Sequence, residues 1–106
     1  MNEIKVGDIL AGTWGYSMVI PVFYQVVKVT DKRIKLVELE KRMVSHDGYG
    51  QRGYEVPVQA PRDLDAKDVI ARPSKYGKGE WVVGSKYDRQ YIEKWNGKPI
   101  WADYCD

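Results

Sequence analysis

Two long runs of β-branched and aromatic residues dominate the hydrophobic pattern of this chain. The first covers residues 19–30, the second covers residues 34–39, and a short polar stretch, residues 31–33, separates them. Valine, isoleucine, tyrosine and phenylalanine favour strands, and three polar residues are enough for a tight turn between two of them. The pattern therefore predicts a long β-hairpin around which the rest of the chain is organised.

Both faces of the first predicted strand are apolar. One face carries Ile20, Val22, Tyr24 and Val26, and the other carries Val19, Phe23, Val27 and Val29. A strand that bends from one layer of a small barrel to another is buried on both sides, whereas an edge strand is wetted on one. Because few segments show helical periodicity, we predict a mainly β fold. We expect a small SH3-like or partly open antiparallel barrel of five to seven strands, with at most one short helix, near Asp63–Asp68.

Glycines mark the entry to this hairpin. Residues 6–10 resemble a first barrel strand that is entered through a turn, with Asp8 as the turn former. Gly12 and Gly15 surround Trp14 and precede Tyr16. Glycine inside a strand pattern indicates a bulge, a corner or the close approach of another backbone. Alternatively, the glycines present both rings outward as stacking platforms.

Residues 45–55 are typical of an exposed loop, because three glycines stand among polar neighbours. This stretch holds His46, the single histidine of the chain. One histidine and one cysteine, Cys105, leave a zinc site without its usual four ligands, and the local signatures of a cysteine nucleophile are missing. The acidic cluster at residues 63–68 lacks the glycine and the distal glutamate of a calcium loop. We therefore expect no enzyme, no cofactor and no metal site.

Two further segments show strand-like patterns. Residues 56–60 are compatible with an edge strand, since the prolines at 57 and 61 argue against a central one. Residues 91–101 centre on Asn96-Gly97, a strong hairpin signal, with Trp95 and Trp101 on either side. Cross-strand packing of these aromatic rings is one interpretation, and an aromatic patch that binds a partner is the other.

The charge distribution gives the clearest pointer to an anionic partner. The chain of 106 residues has a formal net charge of +2, but residues 72–100 hold seven basic and three acidic side chains, whereas residues 1–71 hold ten of each. Basic residues interleaved with aromatic rings are typical of grooves for single-stranded nucleic acid. The candidate residues are Arg72, Lys75, Tyr76, Lys78, Trp81 and Lys86. The alternative is a solubilising loop in which Trp81 packs into the barrel.

Length and composition limit the remaining possibilities. A chain of 106 residues is expected to form one domain, residues 1–106, with a single core. We expect no internal disulfide, because there is one cysteine, and neither a signal peptide nor a membrane span, because the apolar runs are short. The expected location is the cytoplasm. Exposed barrel edges can pair across a two-fold axis, so a homodimer remains open.

Three motifs together resemble a family of small proteins carried by bacteriophages, prophages and plasmids. The motifs are Trp14-Gly15-Tyr16, the stretch F-Y-Q-V-V at residues 23–27, and W-N-G-K-P at residues 95–99, followed by Tyr104. The resemblance covers most of the chain. It implies a bacterial host cytoplasm and a mobile genetic element, and no catalytic residue is carried over from it.

Two function hypotheses follow. In the first, the protein is a non-catalytic accessory or binding module of a phage or other mobile element and contacts a protein partner through aromatic residues. Its candidate residues are Trp14, Tyr16, Trp95 and Trp101. In the second, the barrel binds nucleic acid through the basic and aromatic segment 72–87.

Overall fold

A computed structural model of the chain describes residues 4–14, 19–30, 33–46, 52–61, 68–73, 80–84 and 90–104. These residues contain eight strands and no helix. The strands are β1 (Ile9–Trp14), β2 (Ile20–Val29), β3 (Ile34–His46), β4 (Arg52–Pro61), β5 (Val69–Pro73), β6 (Glu80–Val83), β7 (Gln90–Lys94) and β8 (Ile100–Asp103).

Six of these strands close into an antiparallel barrel. The hydrogen-bonded order is β2-β1-β7-β6-β5-β3, and β3 pairs back with β2 to close the ring. Every pairing in the ring is antiparallel. The predicted small antiparallel barrel is thus confirmed, with a strand number inside the predicted range. Closure gives each of these six strands a partner on both sides, which removes the exposed edges of an open sheet.

The predicted central hairpin is formed by β2 and β3. Its register runs from Tyr24↔Glu38 to Val29↔Ile34, with a β-bulge between Val26 and Lys28. The turn is fastened at Thr30, whose backbone N–H donates to the carbonyl of Arg33 (2.9 Å). A bulge adds local twist, which helps a sheet to curve into a barrel.

The barrel interior is filled by side chains from every strand of the ring. The buried cluster consists of Leu10, Val22, Tyr24, Val26, Ile34, Leu36, Ala71, Val83 and Ile92, with Ile4, Val69 and Trp81 packed against it. These positions alternate along the strands, so their neighbours point outward. Trp81 thus packs against the barrel core, whereas the loop expected beside it, residues 74–79, lies outside the described part.

Strands β4 and β8 lie outside the ring. β4 pairs with the second half of β3, and β8 pairs with β4. β8 returns to the start of β2 through a bridge between Val19 and Asp103, in which each backbone N–H donates to the other residue's carbonyl (2.8 and 2.9 Å). The two outer strands therefore bridge the central hairpin: β8 contacts the start of β2, and β4 pairs with the end of β3.

A second buried cluster forms on the other face of the central hairpin. It consists of Ala11, Phe23 and Leu39, with Ile9, Trp95 and Ile100 packed against them. Phe23 is fully buried here while its neighbours Val22 and Tyr24 are buried in the barrel. The prediction that β2 is apolar on both faces because it serves two layers is confirmed.

Part of the predicted loop at residues 45–55 is strand, so that prediction is wrong at both ends. Ser45 and His46 end β3, and residues 52–55 begin β4; residues 47–51 lie outside the described part. Glycine content misled the prediction, because Gly53 is buried within the β4 pairings to β3 and β8. The predicted edge strand at residues 56–60 is the second half of β4, which β8 does not reach. Pro57 is tolerated there because β8 does not pair with this half of β4, so the N–H that proline lacks is not needed as a donor on that side.

The Asn96-Gly97 turn exists, but the predicted hairpin across it is wrong. β7 pairs with β1 and β6, whereas β8 pairs with β4. The turn therefore links the barrel to the outer strands instead of joining two partners. Gly97 takes a φ of 84°, a conformation that side chains with a Cβ disfavour, and the Asn96 side chain accepts a hydrogen bond from the backbone of Lys98 (2.9 Å).

The entry to β1 follows the predicted turn. The Asp8 carboxylate accepts a hydrogen bond from the Lys5 backbone (2.8 Å), and Gly7 takes a φ of 97°. Gly12 marks a close approach of backbones, because a Cβ there would lie 2.6 Å from the carbonyl oxygen of Tyr91. The predicted helical turn at residues 63–68 falls outside the described residues except for Asp68. Within the described part, no helix is long and apolar enough to cross a membrane.

Candidate functional site

Two large aromatic side chains stand next to each other on the outer strands. Tyr54 of β4 and Trp101 of β8 are directly opposite in the register, and their rings meet edge to face with centroids 5.4 Å apart and an interplanar angle of 68°. Each residue keeps 44% of its surface exposed. We call them the Tyr54–Trp101 pair.

Strand alternation explains why this pair points outward. Its neighbours in the adjacent register positions, Gly53 and Ala102 on one side and Glu55 on the other, are buried. Since side chains alternate between faces, Tyr54 and Trp101 must share the opposite face. The next outward pair along the strands is Arg52 and Asp103, whose ion pair measures 3.3 Å from Nε to Oδ1. The aromatic pair is thus flanked by one cation and one anion.

A buried polar cluster lies under this sheet. Glu55 is 5% exposed, and its Oε1 accepts a hydrogen bond from the hydroxyl of Tyr104 (2.5 Å) and lies 3.3 Å from Lys41 Nζ. Lys41 Nζ also donates to the carbonyl of Pro21 (2.6 Å) and lies 5.4 Å from the centre of the Tyr104 ring. These contacts join β2, β3 and β4 to the residue after β8, and so hold the outer strands rigidly against the barrel.

This cluster borders a small open cavity of about 200 Å³, which lies where β2 and β3 part. The residues that line it are Val22, Phe23, Glu38, Leu39, Glu40, Lys41 and Glu55. The groups with the strongest chemistry, Lys41 and Glu55, already satisfy each other. The arrangement therefore stabilises the fold.

The structure divides the predicted protein-binding residues. Trp101 is presented to solvent, as described above. Trp95 is half-buried, packs edge to face on Phe23 with ring centroids 5.8 Å apart, and donates its indole N–H to the carbonyl of Lys98 (2.8 Å). Trp14 ends β1, but its side chain is outside the described part, and Tyr16 lies outside it altogether.

Tyr54 is the functional candidate that sequence reasoning missed. It lay in the segment that glycine content assigned to a loop. The available signal was the alternation of Arg52, Tyr54 and Val56 with Gly53 and Glu55, which is a strand pattern. Register with β8 cannot be read from the sequence, so the contact between Tyr54 and Trp101 needed the structure.

Most of the residues predicted to bind nucleic acid lie outside the described part of the chain. Arg72 is exposed on β5, and its Nη1 donates to the carbonyl of Gly84 (3.4 Å). Trp81 is half-buried against the barrel core, which leaves less of its ring for a base. Lys75, Tyr76, Lys78 and Lys86 lie outside the described residues.

No group of three histidine, cysteine, aspartate or glutamate side chains comes together in the described residues in a way that suits a metal ion. The backbone of His46 pairs with Gly53 at the end of β3, its side chain is not described, and Cys105 lies outside the described part.

Comparison with protein-family models, with curated proteins and with solved structures finds no match. The site itself therefore has to carry the functional argument.

Proposed function

We propose that this protein is a non-catalytic binding module that contacts a protein partner through the Tyr54–Trp101 pair. The observation that carries the proposal is the exposure of two large rings, 44% each, side by side on paired strands. Tryptophan, tyrosine and arginine are the residues that most often dominate binding energy at protein interfaces.

The geometry suits such a role because the pair is pre-organised. The two rings already pack on each other, and the strands that carry them are held by the buried Glu55 contacts. Little side-chain entropy is left to lose when a partner covers the rings. The partner we expect offers an apolar side chain to the rings. At the rim it offers polar groups to Arg52 and Asp103, since interface rims are polar.

The cellular setting is part of the proposal. The resemblance of the W-G-Y, F-Y-Q-V and W-N-G-K-P motifs to proteins of bacteriophages, prophages and plasmids supports a role in a mobile element. The partner would then be a host or phage protein in the bacterial cytoplasm. Neither a cofactor nor a catalytic step is needed for this role.

The test is a quantitative pull-down from nuclease-treated bacterial lysate, in which no nucleic acid bridges proteins, with three forms of the immobilised protein. We expect the wild type to enrich one or a few proteins, and Trp101→Ala to lose them at least tenfold. Tyr91→Ala is the matched control, because Tyr91 is 43% exposed but lies on β7 in the barrel wall.

The proposal is wrong if the proteins enriched by the wild type are retained equally by Trp101→Ala, or if Trp101→Ala and Tyr91→Ala lose them to the same extent. Circular dichroism of both variants shows whether each is folded. If Trp101→Ala is not, Trp101→Ser and Tyr54→Ala take its place in the same comparison.

A further inference from the structure

A second surface, at the other end of β3, carries positive charge that no ion pair among the described residues neutralises. Lys28 of β2 lies directly opposite Lys35 of β3, and Lys35 lies directly opposite Ile70 of β5. Lys28 and Ile70 are exposed and Lys35 is half-buried. Like charges directly opposite each other across a strand pair destabilise a sheet, so an anion bound between these lysines would relieve their repulsion.

A second pair of cations continues the same surface. Ile34 pairs with Ala71, and the residues next to that pair are Arg33, just before β3, and Arg72 of β5. Both arginines are exposed, and both line one open groove of about 550 Å³, to which Ile70 also contributes. The turn hydrogen bonds to Thr30 hold the backbone of Arg33 in place. They therefore fix the position from which the Arg33 side chain extends.

These four cations are not neutralised within the described residues. The ion pairs found there involve Lys41, Arg52 and Lys94 instead. One carboxylate, that of Asp68, lines the groove beside the two arginines. Glu93 is exposed two residues from Tyr91 on β7, so it shares the outer face of that strand. Among the described residues, the four cations and the carboxylates of Asp68 and Glu93 sum to a charge of about +2, a local excess that attracts polyanions.

An aromatic ring extends the same face. Arg72 lies opposite Val82 of β6, and Val82 lies opposite Tyr91 of β7. Val82 is buried, whereas Tyr91 keeps 43% of its surface exposed. We call Lys28, Arg33, Lys35, Ile70, Arg72 and Tyr91 the basic face.

We infer that the basic face binds single-stranded nucleic acid, with phosphates on the four cations and a base stacked on Tyr91. Charge complementarity selects a polyanion, and the exposed ring of Tyr91, two strands from Arg72 on the same face, selects one that carries planar groups. An acidic protein segment satisfies the charges but makes no particular use of the ring. The inference is independent of the proposed protein contact, because the two surfaces lie far apart on β3. Lys35 belongs to the basic face, and Ser45 lies opposite Tyr54. Ten residues, or roughly 33 Å of strand, separate them.

The experiment is fluorescence anisotropy of labelled 20-nucleotide single strands, one of DNA and one of RNA, titrated with the whole chain at several salt concentrations. We expect wild-type affinity to fall steeply as salt rises. Arg33→Ala with Arg72→Ala should weaken binding at least tenfold at low salt. This double substitution should also reduce the slope of log K against log salt by about 1.4, since each phosphate contact to a single strand contributes about 0.7.

A charge-matched control uses two exposed cations away from this face. Arg42→Ala with Lys98→Ala removes the same charge and should change the affinity by less than about threefold. Tyr91→Ala should weaken binding at least fivefold with the salt slope unchanged, because a stacked base contributes no counterion release.

The inference is overturned if the wild type binds neither strand at low salt, or if the two double variants weaken binding equally, which would mean a diffuse effect of net charge. It is also overturned if labelled polyglutamate binds as tightly as the oligonucleotides and Tyr91→Ala has no effect, which would identify an acidic protein as the ligand. Retained oligonucleotide binding by Trp101→Ala would separate this surface from the protein-binding one.

Discussion

At the scale of single residues, two positions have roles that can be read from contacts alone. Gly12 faces the backbone of β7 at a distance that leaves no room for a side chain. Glu55 places a carboxylate in the interior with a hydroxyl and an ammonium group around it. Neither contact depends on a partner, so both can be tested on the isolated protein.

Gly12→Ala should destabilise the fold by about 1–3 kcal/mol, because the new methyl group meets the Tyr91 carbonyl oxygen and packed backbone must move. Urea unfolding measures the change. Thr13→Ala is the control on the same strand, since Thr13 is exposed and surface substitutions usually stay within about 0.5 kcal/mol. Equal stabilities of the two variants would show that β1 and β7 are farther apart than described.

Lys41→Met should lower the free energy of unfolding by about 2–3 kcal/mol, because it leaves the buried Glu55 carboxylate without its cation. Arg52→Met is the matched control, since its ion pair with Asp103 is largely exposed on the arginine side and should contribute less than about 1 kcal/mol. Adding Glu55→Gln to Lys41→Met should restore part of the loss. The role assigned to the cluster fails if Lys41→Met is no more harmful than Arg52→Met.

At the scale of elements, Trp95 shows how a residue predicted to bind a partner can be part of the fold. Its ring packs on Phe23, and its N–H closes the turn through Lys98. We predict that Trp95→Ala costs about 3 kcal/mol, near the lower limit for core tryptophans because the ring is half-buried. Trp101→Ala should cost less than Trp95→Ala because its ring is more exposed; its edge-to-face contact with Tyr54 contributes about 0.5–1.5 kcal/mol beyond the buried area. Chemical denaturation of the two variants measures both, and equal losses would contradict this division of roles.

The elements also show how far sequence patterns reach. The central hairpin and its two-sided burial followed from the alternation of apolar residues, because that alternation directly encodes which faces are buried. The pairing of β7 and β8 did not follow, although Asn96-Gly97 is a strong turn signal. A turn determines only the local reversal of the chain. The strands on either side pair with strands that are distant in sequence: Lys94 of β7 lies opposite Leu10 of β1, and Trp101 of β8 lies opposite Tyr54 of β4.

The candidate site was half predictable for the same reason. Trp101 was a candidate binding residue from its place beside Asn96-Gly97, with cross-strand packing as the other interpretation, but its neighbour Tyr54 lies 47 positions earlier in the chain. The opposed cations Lys28 and Lys35 are close in sequence, whereas Arg33 and Arg72 meet only because β3 pairs with β5. Local chemistry was therefore visible in the sequence, and its combination into surfaces depended on long-range register.

At the scale of the whole molecule, β3 connects two surfaces of different chemistry. Its first residues belong to the barrel and carry the basic face, and its last residues pair with β4 beneath the Tyr54–Trp101 pair. Taken together, our two proposals describe a small adaptor that joins a protein to a nucleic-acid strand. The two surfaces are linked by one strand, β3, whose pairing with β4 shifts register between Leu39 and Lys41 and again between Met43 and Ser45.

The two surfaces should act independently in binding assays. Arg33→Ala with Arg72→Ala should leave the protein pulled down by the wild type unchanged, and Trp101→Ala should leave oligonucleotide affinity within about twofold. Substitutions at distant sites without shared contacts usually add. Measuring both activities on both variants, with thermal unfolding as a check of folding, tests this. Loss of both activities in either folded variant would mean one shared site.

The measurement that tests the proposed function most directly is photo-cross-linking in bacterial cells with benzoylphenylalanine placed at position 54, and at position 91 for comparison. We predict a discrete adduct with another protein from position 54, its disappearance on Trp101→Ala, and no such adduct from position 91. No adduct from position 54, the same adducts from both positions, or an adduct with a second copy of the chain alone would contradict it.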